Sequence, residues 1–372
     1  MYQSGGSWLE RVTLSYLFLL PIVPRYIGLD FSVGGDILFL SMLRVATILL
    51  LSGWILWVWQ SIDAGARARL SFCDSVNKVM LLIVFYLCVI FISVIFSRDF
   101  SVSFKYFLSE CMLSGVLVFF CFLTVFRRQK IVDTVLKVWV LSIVIVLLIG
   151  ILDLLNGESI FNLVEFPGRH DIAEGFLQVK ERAGFMRIQS TLDNPVTLST
   201  YLLMSLPMVA YLLNKACSKY AKVAYGVIAW LIIYVLLLTY VRSAWFLLLL
   251  SIIILSRSRF LYIVLFGFAI LAAFVTVDKD DFSAHKKLDI VVNSILLQDD
   301  RRVSKSTSYR IEMVRAGLET FKTSPVTGVG PGNFSKYVEG DYSGKRINFE
   351  HHENHYITAL VETGVFGVTV YL

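Results

Sequence analysis

Residues 223–255 read VAYGVIAWLIIYVLLLTYVRSAWFLLLLSIIIL, and Arg242 is the one charged residue among them. A single α-helix over this stretch would be about 50 Å long at 1.5 Å per residue, well beyond the roughly 30 Å of a bilayer's hydrocarbon layer. A hairpin of two membrane helices, 222–240 and 242–256, turning at Thr239 to Arg242, fits the bilayer better. Whether the run is one long helix or two is the choice that sets the topology of the whole chain.

Similar apolar runs recur on either side of this hairpin. Spans are expected at 12–28, 37–59, 78–97, 104–126, 131–154, 195–214, 259–277 and 356 to the end, making about ten with the hairpin's two. Composition agrees: 57% of the 372 residues are hydrophobic and 17% are charged, too apolar for a soluble domain of this size. Basic residues alternate between loops: Arg67, Arg69 and Lys78; Arg127, Arg128 and Lys130; Lys215, Lys219 and Lys222; Arg257 and Arg259. Because Lys and Arg resist translocation, these loops read as cytoplasmic, with the N-terminus on the same side and the long loops 155–194 and 278–355 external. The fold expected is therefore all-α: a polytopic helical membrane protein with a bundle over 1–277, a large periplasmic loop over 278–355 containing short amphipathic helices, and a tenth helix starting at 356–372. The final "ETGVFGVTVYL" stops inside an apolar span, so the chain reads as truncated from about 12 spans.

The net charge of +6 is a topology signal rather than a nucleic-acid footprint, since no basic stripe is interleaved with exposed aromatics. Cys73, Cys88, Cys111, Cys121 and Cys217 lie in spans or short cytoplasmic loops and imply no disulfide. The apolar run Val12–Val23 lacks a small-residue cleavage site and contains Pro21, so it reads as a retained first span. Within the second long loop, Ile311, Val314, Leu318 and Phe321 fall at helical spacing, the mark of an amphipathic helix lying against the membrane or the bundle.

Two readings fit Arg242: an arginine snorkelling to head groups, or a phosphate clamp whose planar guanidinium matches phosphate oxygens in bidentate fashion. Arg187 precedes "STLDNP", where Asp193 or Asn194 caps the next span and Pro195 takes its first turn; Arg310 opens the amphipathic helix. Each is solvated surface or a second and third cation on the external side. "EHHENH" packs His351, His352, Glu353, Asn354 and His355 before the last span. Adjacent residues at a helix start point in different directions and no HExxH spacing occurs, so a general base, or a polar interfacial cap, fits better than a metal site. Asp278 to Asp281 read as a solvated run, and "GVGPGNF" follows a helix as a turn rather than a phosphate cradle. Nucleotide donors are unsupported. Lys105 and Glu110 in the fourth span, Arg44 in the second, and Lys137 four residues after Asp133 are ions of the kind that face a bundle and pair, with Arg44 a candidate ligand-facing charge.

Three segments together resemble the O-antigen ligase and O-antigen polymerase superfamily of bacterial membrane glycosyltransferases. "TYVRSAWFLLLL" resembles its T-x-S-R-G-A-W pattern, with Val241 in place of Ser. "YRIEMVRAGLETFKTSPVTGVGPGNF" resembles its R-x-x-x-W helix followed by P-x-x-G-x-G-x-G-N-F, and "ENHYITALVETGVFG" its H-N and G-x-x-G element. The likeness covers roughly residues 180 to 367; the earlier spans agree only in hydropathy.

The resemblance implies an enzyme of the bacterial inner membrane working on its periplasmic face. It would move a glycan from an undecaprenyl-diphosphate donor to a sugar hydroxyl, on lipid A core (O-antigen ligase, lipopolysaccharide biosynthesis) or on another lipid-linked chain (O-antigen or exopolysaccharide polymerase). By the same resemblance Arg242 and Arg310 contact the diphosphate, Arg187 sits in the matching R-x-x-x-T-x-x-N-P stretch, and no metal or other cofactor is needed. Glu353 stands where ligases typically carry histidine, so the base is Glu353, His352 or His355, and the departure tilts the reading toward a polymerase. A transporter or flippase of a lipid-linked saccharide is the alternative, although the inverted repeats and broken helices common in such proteins are not evident.

Overall fold

The computed structural model describes residues 5–24, 26–33, 36–63, 74–125, 129–163, 181–182, 185–192, 194–255, 301–342, 345–349 and 354–371. In chain order these form α1 (Gly5–Leu19), β1 (Gly28–Val33), β2 (Asp36–Ser41), α2 (Met42–Asp63), α3 (Asp74–Ile95), α4 (Phe100–Tyr106), a π-helical segment (Phe107–Leu117) and α5 (Val118–Val125). There follow α6 (Gln129–Asn156), a 3-10 turn (Ile160–Leu163), β3 (Glu181–Arg182), β4 (Phe185–Met186), α7 (Pro195–Lys215), α8 (Lys219–Leu238) and α9 (Arg242–Leu255). The last group is α10 (Arg301–Thr323), α11 (Phe334–Tyr337), β5 (Glu339–Tyr342), β6 (Lys345–Asn348) and α12 (His355–Tyr371).

Among the described residues, five helices are long and apolar enough to cross a membrane: Met42–Trp59, Phe100–Val125, Ile131–Asn156, Pro195–Lys215 and Lys219–Leu238. Met80–Ile95 is a shorter apolar helix. The expected span at 259–277 lies outside the described residues. Two expected boundaries are corrected. The first helix ends at Leu19 rather than 28, and the second begins at Met42 rather than 37, because Gly28–Val33 and Asp36–Ser41 pair as an antiparallel hairpin with Val33 opposite Asp36. Pro21 and Pro24 cannot extend a helix, so the chain leaves α1 before the apolar pattern does. The large loop likewise holds a hairpin, β5–β6, in addition to helices.

The chain divides into two units. The first comprises Met1–Trp54 and Leu123–Gln298. Its core is helix on helix: Ile143 and Leu147 of α6, Leu198, Leu202 and Leu206 of α7, Ile232 and Leu236 of α8, and Leu248 of α9 are all buried. Asn194 caps α7 by accepting from Val196 N at 3.0 Å, with Pro195 in the first turn, as the sequence indicates. Polar contacts join α6 to α7 within this core, among them Trp139 Nε1 to Ser205 Oγ at 3.0 Å and Ser142 Oγ with Tyr201 OH at 3.1 Å. Asp133 is paired with Lys215 of α7 at 2.6 Å rather than with Lys137 on its own helix. Arg44 is exposed in the first turn of α2.

The second unit comprises Ile55–Phe122 and Asp299–Leu372. Lys105 and Glu110 are exposed in it rather than turned into a bundle. Its core gathers Met313 and Ala316 of α10, Val329, Phe334, Val338, Phe349 and Val361 of α12. The apolar positions of α10 are divided: Phe321 packs against this core, and Ile311 and Leu318 face away from it. Ile311 is 64% exposed and Leu318 40%, while Met313, Ala316 and Gly317 are buried. Close approach sets the contact with α12: a Cβ on Gly317 would lie 2.7 Å from Ile357 Cγ2, so the missing side chain at Gly317 lets the two helices meet there. Among the described residues, Cys88, Cys111, Cys121 and Cys217 are not joined in disulfides.

Candidate functional site

The run around Arg242 is a hairpin. α8 stops at Leu238, Thr239 Oγ1 donates back to Leu236 O at 2.7 Å, and Tyr240 takes a left-handed backbone with φ of 51°. Arg242 is the first residue of α9. The first-turn amides of any helix lack intrahelical acceptors, and the dipole's positive end favours anions there.

A strap of chain, residues 186–192, crosses this turn. Arg187 Nε donates to Thr239 O at 2.9 Å, and Ser190 Oγ donates to Val146 O of α6 at 2.7 Å. Thr191 Oγ1 donates to Pro21 O at 2.6 Å. Gly150 makes room for it, since a Cβ there would lie 3.1 Å from Ile188 Cγ2 and 3.5 Å from Ser190 Cβ. Ser190, with φ of 54°, and Tyr240 are the two described non-glycine residues with positive φ, and both lie where the strap meets the helix ends. Strain of this kind persists where surrounding structure enforces it, often at working sites. Thus Arg187 is brought to the backbone of the turn that leads into Arg242.

In the second unit, α10 and α12 run parallel: Gly317 faces Ile357 and Val361, and Val365 N donates to Pro325 O at 3.0 Å. Arg310 is exposed, two helical turns before Gly317 and on nearly the same face, roughly 10 Å toward the end at which α12 starts. Its neighbour Tyr309 packs edge-on against Phe349 at 5.1 Å between ring centroids. Asn354 caps α12, its Oδ1 accepting from Tyr356 N at 3.1 Å and Ile357 N at 3.3 Å, and His355 is exposed in the first turn. His352 and Glu353 lie outside the described residues. Their described flanks, Phe349 and Asn354, are at the Arg310 end of the unit.

The glycine-rich turn after α10 is a structural clasp. Gly328, Gly330 and Gly332 all have positive φ, and a Cβ on Gly328 would overlap the backbone of Glu362. Val329 N and Gly330 N donate to Val361 O and Glu362 O at 2.9 and 3.0 Å. The buried Glu362 carboxylate accepts from Phe334 N at 3.2 Å. Asn333 Nδ2 reaches Ser97 Oγ, Ser103 Oγ and Val329 O at 2.9 to 3.0 Å. Outside this knot Lys336 bonds Asp99 at 2.6 Å; that hydrogen bond holds the Asp99 carboxyl below its ordinary range and raises Lys336. Sequence reasoning missed Glu362 and the Ser97–Ser103–Asn333 network, because their partners lie more than 200 residues away for the serines and across a turn for Glu362.

Helices of membrane length, closed at their ends by hydrogen-bonded turns that carry arginine, define the class: a multi-pass helical membrane protein. Residues 227–372, about two-fifths of the chain, match the family model described as O-antigen ligase, a likeness in line with the motif resemblance over the same stretch. Arg242, Arg310 and residues 352–355 lie inside the matched range, and Arg187 lies before it. No curated protein and no solved structure matches the chain.

Proposed function

We propose that this protein transfers a glycan from an undecaprenyl-diphosphate donor to a sugar hydroxyl at the periplasmic face of the inner membrane, as an O-antigen or exopolysaccharide polymerase or an O-antigen ligase. The observation that carries the reading is the 2.9 Å bond from Arg187 Nε to Thr239 O, which ties an arginine of a distant loop to the turn opening the Arg242 helix. A guanidinium at the head of a helix is suited to a diphosphate, by charge, by geometry and by the helix dipole.

In the proposed reaction the acceptor hydroxyl oxygen attacks the anomeric carbon of the donor sugar. Glu353, His352 or His355 takes the hydroxyl proton as the new C–O bond forms. The bond from the anomeric carbon to the phosphate oxygen breaks, and its electron pair leaves with undecaprenyl diphosphate. Arg187, Arg242 and Arg310 are assigned to the charge that grows on that leaving group, an interaction stronger in the transition state than in the ground state. The donor's activated bond supplies the driving force, so no nucleotide enters, and in-line attack inverts the anomeric centre.

Purified protein with lipid-linked glycan and acceptor, and no nucleotide, tests this. Arg242→Ala, Arg310→Ala and Glu353→Ala are each expected to lower turnover, the arginine variants by about 100- to 1,000-fold. Full turnover by all three variants would remove the catalytic assignment. Lipopolysaccharide from a deletion strain separates the two activities: core without any O-antigen indicates a ligase, and core capped by one repeat unit indicates a polymerase.

A further inference from the structure

Asp153 sits in the last turn of α6 with 1% of its surface exposed. A carboxylate is badly placed there on general grounds. It is removed from water, and it lies at the negative end of the helix dipole. One oxygen, Oδ1, accepts from Ile160 N at 2.8 Å, which folds the 3-10 turn back onto the helix. Ser190 of the strap packs on the same helix beside it: its Oγ bonds Val146 O at 2.7 Å, a Cβ on Gly150, about one turn before Asp153, would lie 3.5 Å from Ser190 Cβ, and the Ser190 backbone N–H is turned toward the carboxyl. The other oxygen, Oδ2, is buried without a hydrogen-bond partner among the described residues, as is the neighbouring Ser159 Oγ. Residues that violate local rules at a cost in stability are where function is to be sought.

What Asp153 touches is the strap that carries Arg187. The strap is pinned on the α6 side by Ser190 and on the α8 side by Arg187 itself, and Ser190 holds a left-handed backbone between those pins. We propose that Asp153 is a positioning residue for Arg187: its carboxylate fixes the Ser190 amide, and through three residues of strap it sets where the guanidinium stands against the Thr239 turn. This rests on the reading of Arg187 as a diphosphate contact. The role needs an acceptor at the Oδ1 position and not a negative charge as such, which separates it from a charge that acts on the substrate directly.

The test uses the full chain in detergent or nanodiscs, with lipid-linked donor and acceptor, and compares kcat and KM for Arg187→Ala, Asp153→Leu, Asp153→Asn and the double variant Asp153→Leu/Arg187→Ala. Leucine keeps the volume and removes the acceptor; a misplaced catalytic group costs up to about 100-fold, so a 10- to 100-fold loss in kcat is expected. Asparagine keeps an acceptor oxygen and is expected to restore kcat to within about 3-fold of wild type, taken as the scale of a neutral change. The double variant is expected to be no worse than Arg187→Ala alone, because residues acting through one another are not additive. Losses that multiply in the double variant overturn the proposal, and so does full kcat in Asp153→Leu beside an impaired Arg187→Ala. If Arg187→Ala is itself fully active, the diphosphate reading of that arginine fails instead. Should the leucine variant not fold, Asp153→Glu, which moves the carboxylate by one methylene, decides: unchanged kcat in a well-folded Glu variant, with Arg187→Ala impaired, sinks the positioning role.

Discussion

Gly364 interrupts α12 with φ of 66° and ψ of −165°, a region open in practice to glycine alone. A Cβ built there would lie 2.5 Å from Val326 C and 2.8 Å from Thr327 N, so Gly364→Ala meets backbone that no side-chain rotation can clear. The conformation costs a non-glycine residue about 1–3 kcal/mol. Relieving the clash must also part the Val365 N to Pro325 O hydrogen bond, worth about 1 kcal/mol. With the neighbouring turn displaced as well, a loss of about 3–4 kcal/mol is expected, or a fall of roughly 10 °C in melting temperature for a unit of this size. Gly157→Ala supplies the control: its φ is 74° but no described residue lies within 4 Å of a built Cβ, so it bears only the backbone term of about 1–2 kcal/mol. Intrinsic-fluorescence melting of the purified variants reads both. Equal shifts for the two alanines would refute the clasp, since the difference between them is the contact with the 326–327 backbone.

Four further outcomes are expected. Arg187→Lys should lower kcat by about 10-fold or more, because an ammonium cannot bond Thr239 O and present a planar fork together; a lysine variant with wild-type kcat contradicts the fork's role. Ser205→Ala removes the acceptor of Trp139 Nε1 and should cost about 0.6–2 kcal/mol, read as a lower melting temperature. The Asp99–Lys336 pair is present above the ordinary carboxylate value of 3.8 and is lost as pH falls through the depressed folded value; at the other end, Lys336's contribution persists below 10.5 and is lost as pH rises through its raised value. The melting difference between wild type and Asp99→Asn should therefore be flat at neutral pH and shrink only in strong acid or base, and a difference that titrates near neutrality would contradict the pairing. Exposed Cys217 is expected to react with membrane-impermeant maleimide from the cytoplasmic side, while Ser243→Cys, in a background lacking the native cysteines, should react only from the periplasm.

Much of the helical layout was legible because a 3.6-residue fold has few ways to hide a long apolar run. The 223–255 run breaks where bilayer thickness says it should, and the Asn194–Pro195 start of α7 follows from capping chemistry alone. The β1–β2 hairpin was not legible: Ile37, Leu38, Phe39 and Leu40 are as apolar as any helix, and only pairing with residues 28–33 reveals a strand. The contact of α10 with α12 was hidden for a related reason. Apolar periodicity reports the largest side chains, whereas Gly317 marks contact by having none. Of the site, the arginines stood out as isolated cations in apolar sequence. Asp153 offered a comparable signal, an ionisable residue closing an apolar helix in "LIGILDLLN", but its importance depends on Ile160 and Ser190, which no spacing rule connects to it.

Hydrogen bonds between loops also constrain how often the chain crosses the membrane. Thr191 bonds Pro21 and Arg187 bonds Thr239, so these three loops share one end of the first unit. Asp133 bonds Lys215, which joins the start of α6 to the end of α7. Loops on the same side must be separated by an even number of crossings. Between Pro21 and Thr191 the sequence offers spans near 37–59, 78–97, 104–126 and 131–154; between Thr191 and Thr239 it offers α7 and α8; between Asp133 and Lys215, α6 and α7. Each set is even. In the second unit Arg98 N bonds Val329 O and Lys336 bonds Asp99, so the loop after α3 shares a side with the turn after α10, which again demands an even number between them. Six are expected there: 104–126, 131–154, 195–214, the two arms of the 222–256 hairpin and the run at 259–277. The alternation of basic loops and the hydrogen bonds between their counterparts are independent observations, one about charge and one about geometry. Merging the 223–255 run into a single helix would leave the count to Val329 odd and would put Thr239, the partner of Arg187, in the middle of a span, which is why the turn at Tyr240 governs the topology as well as the site.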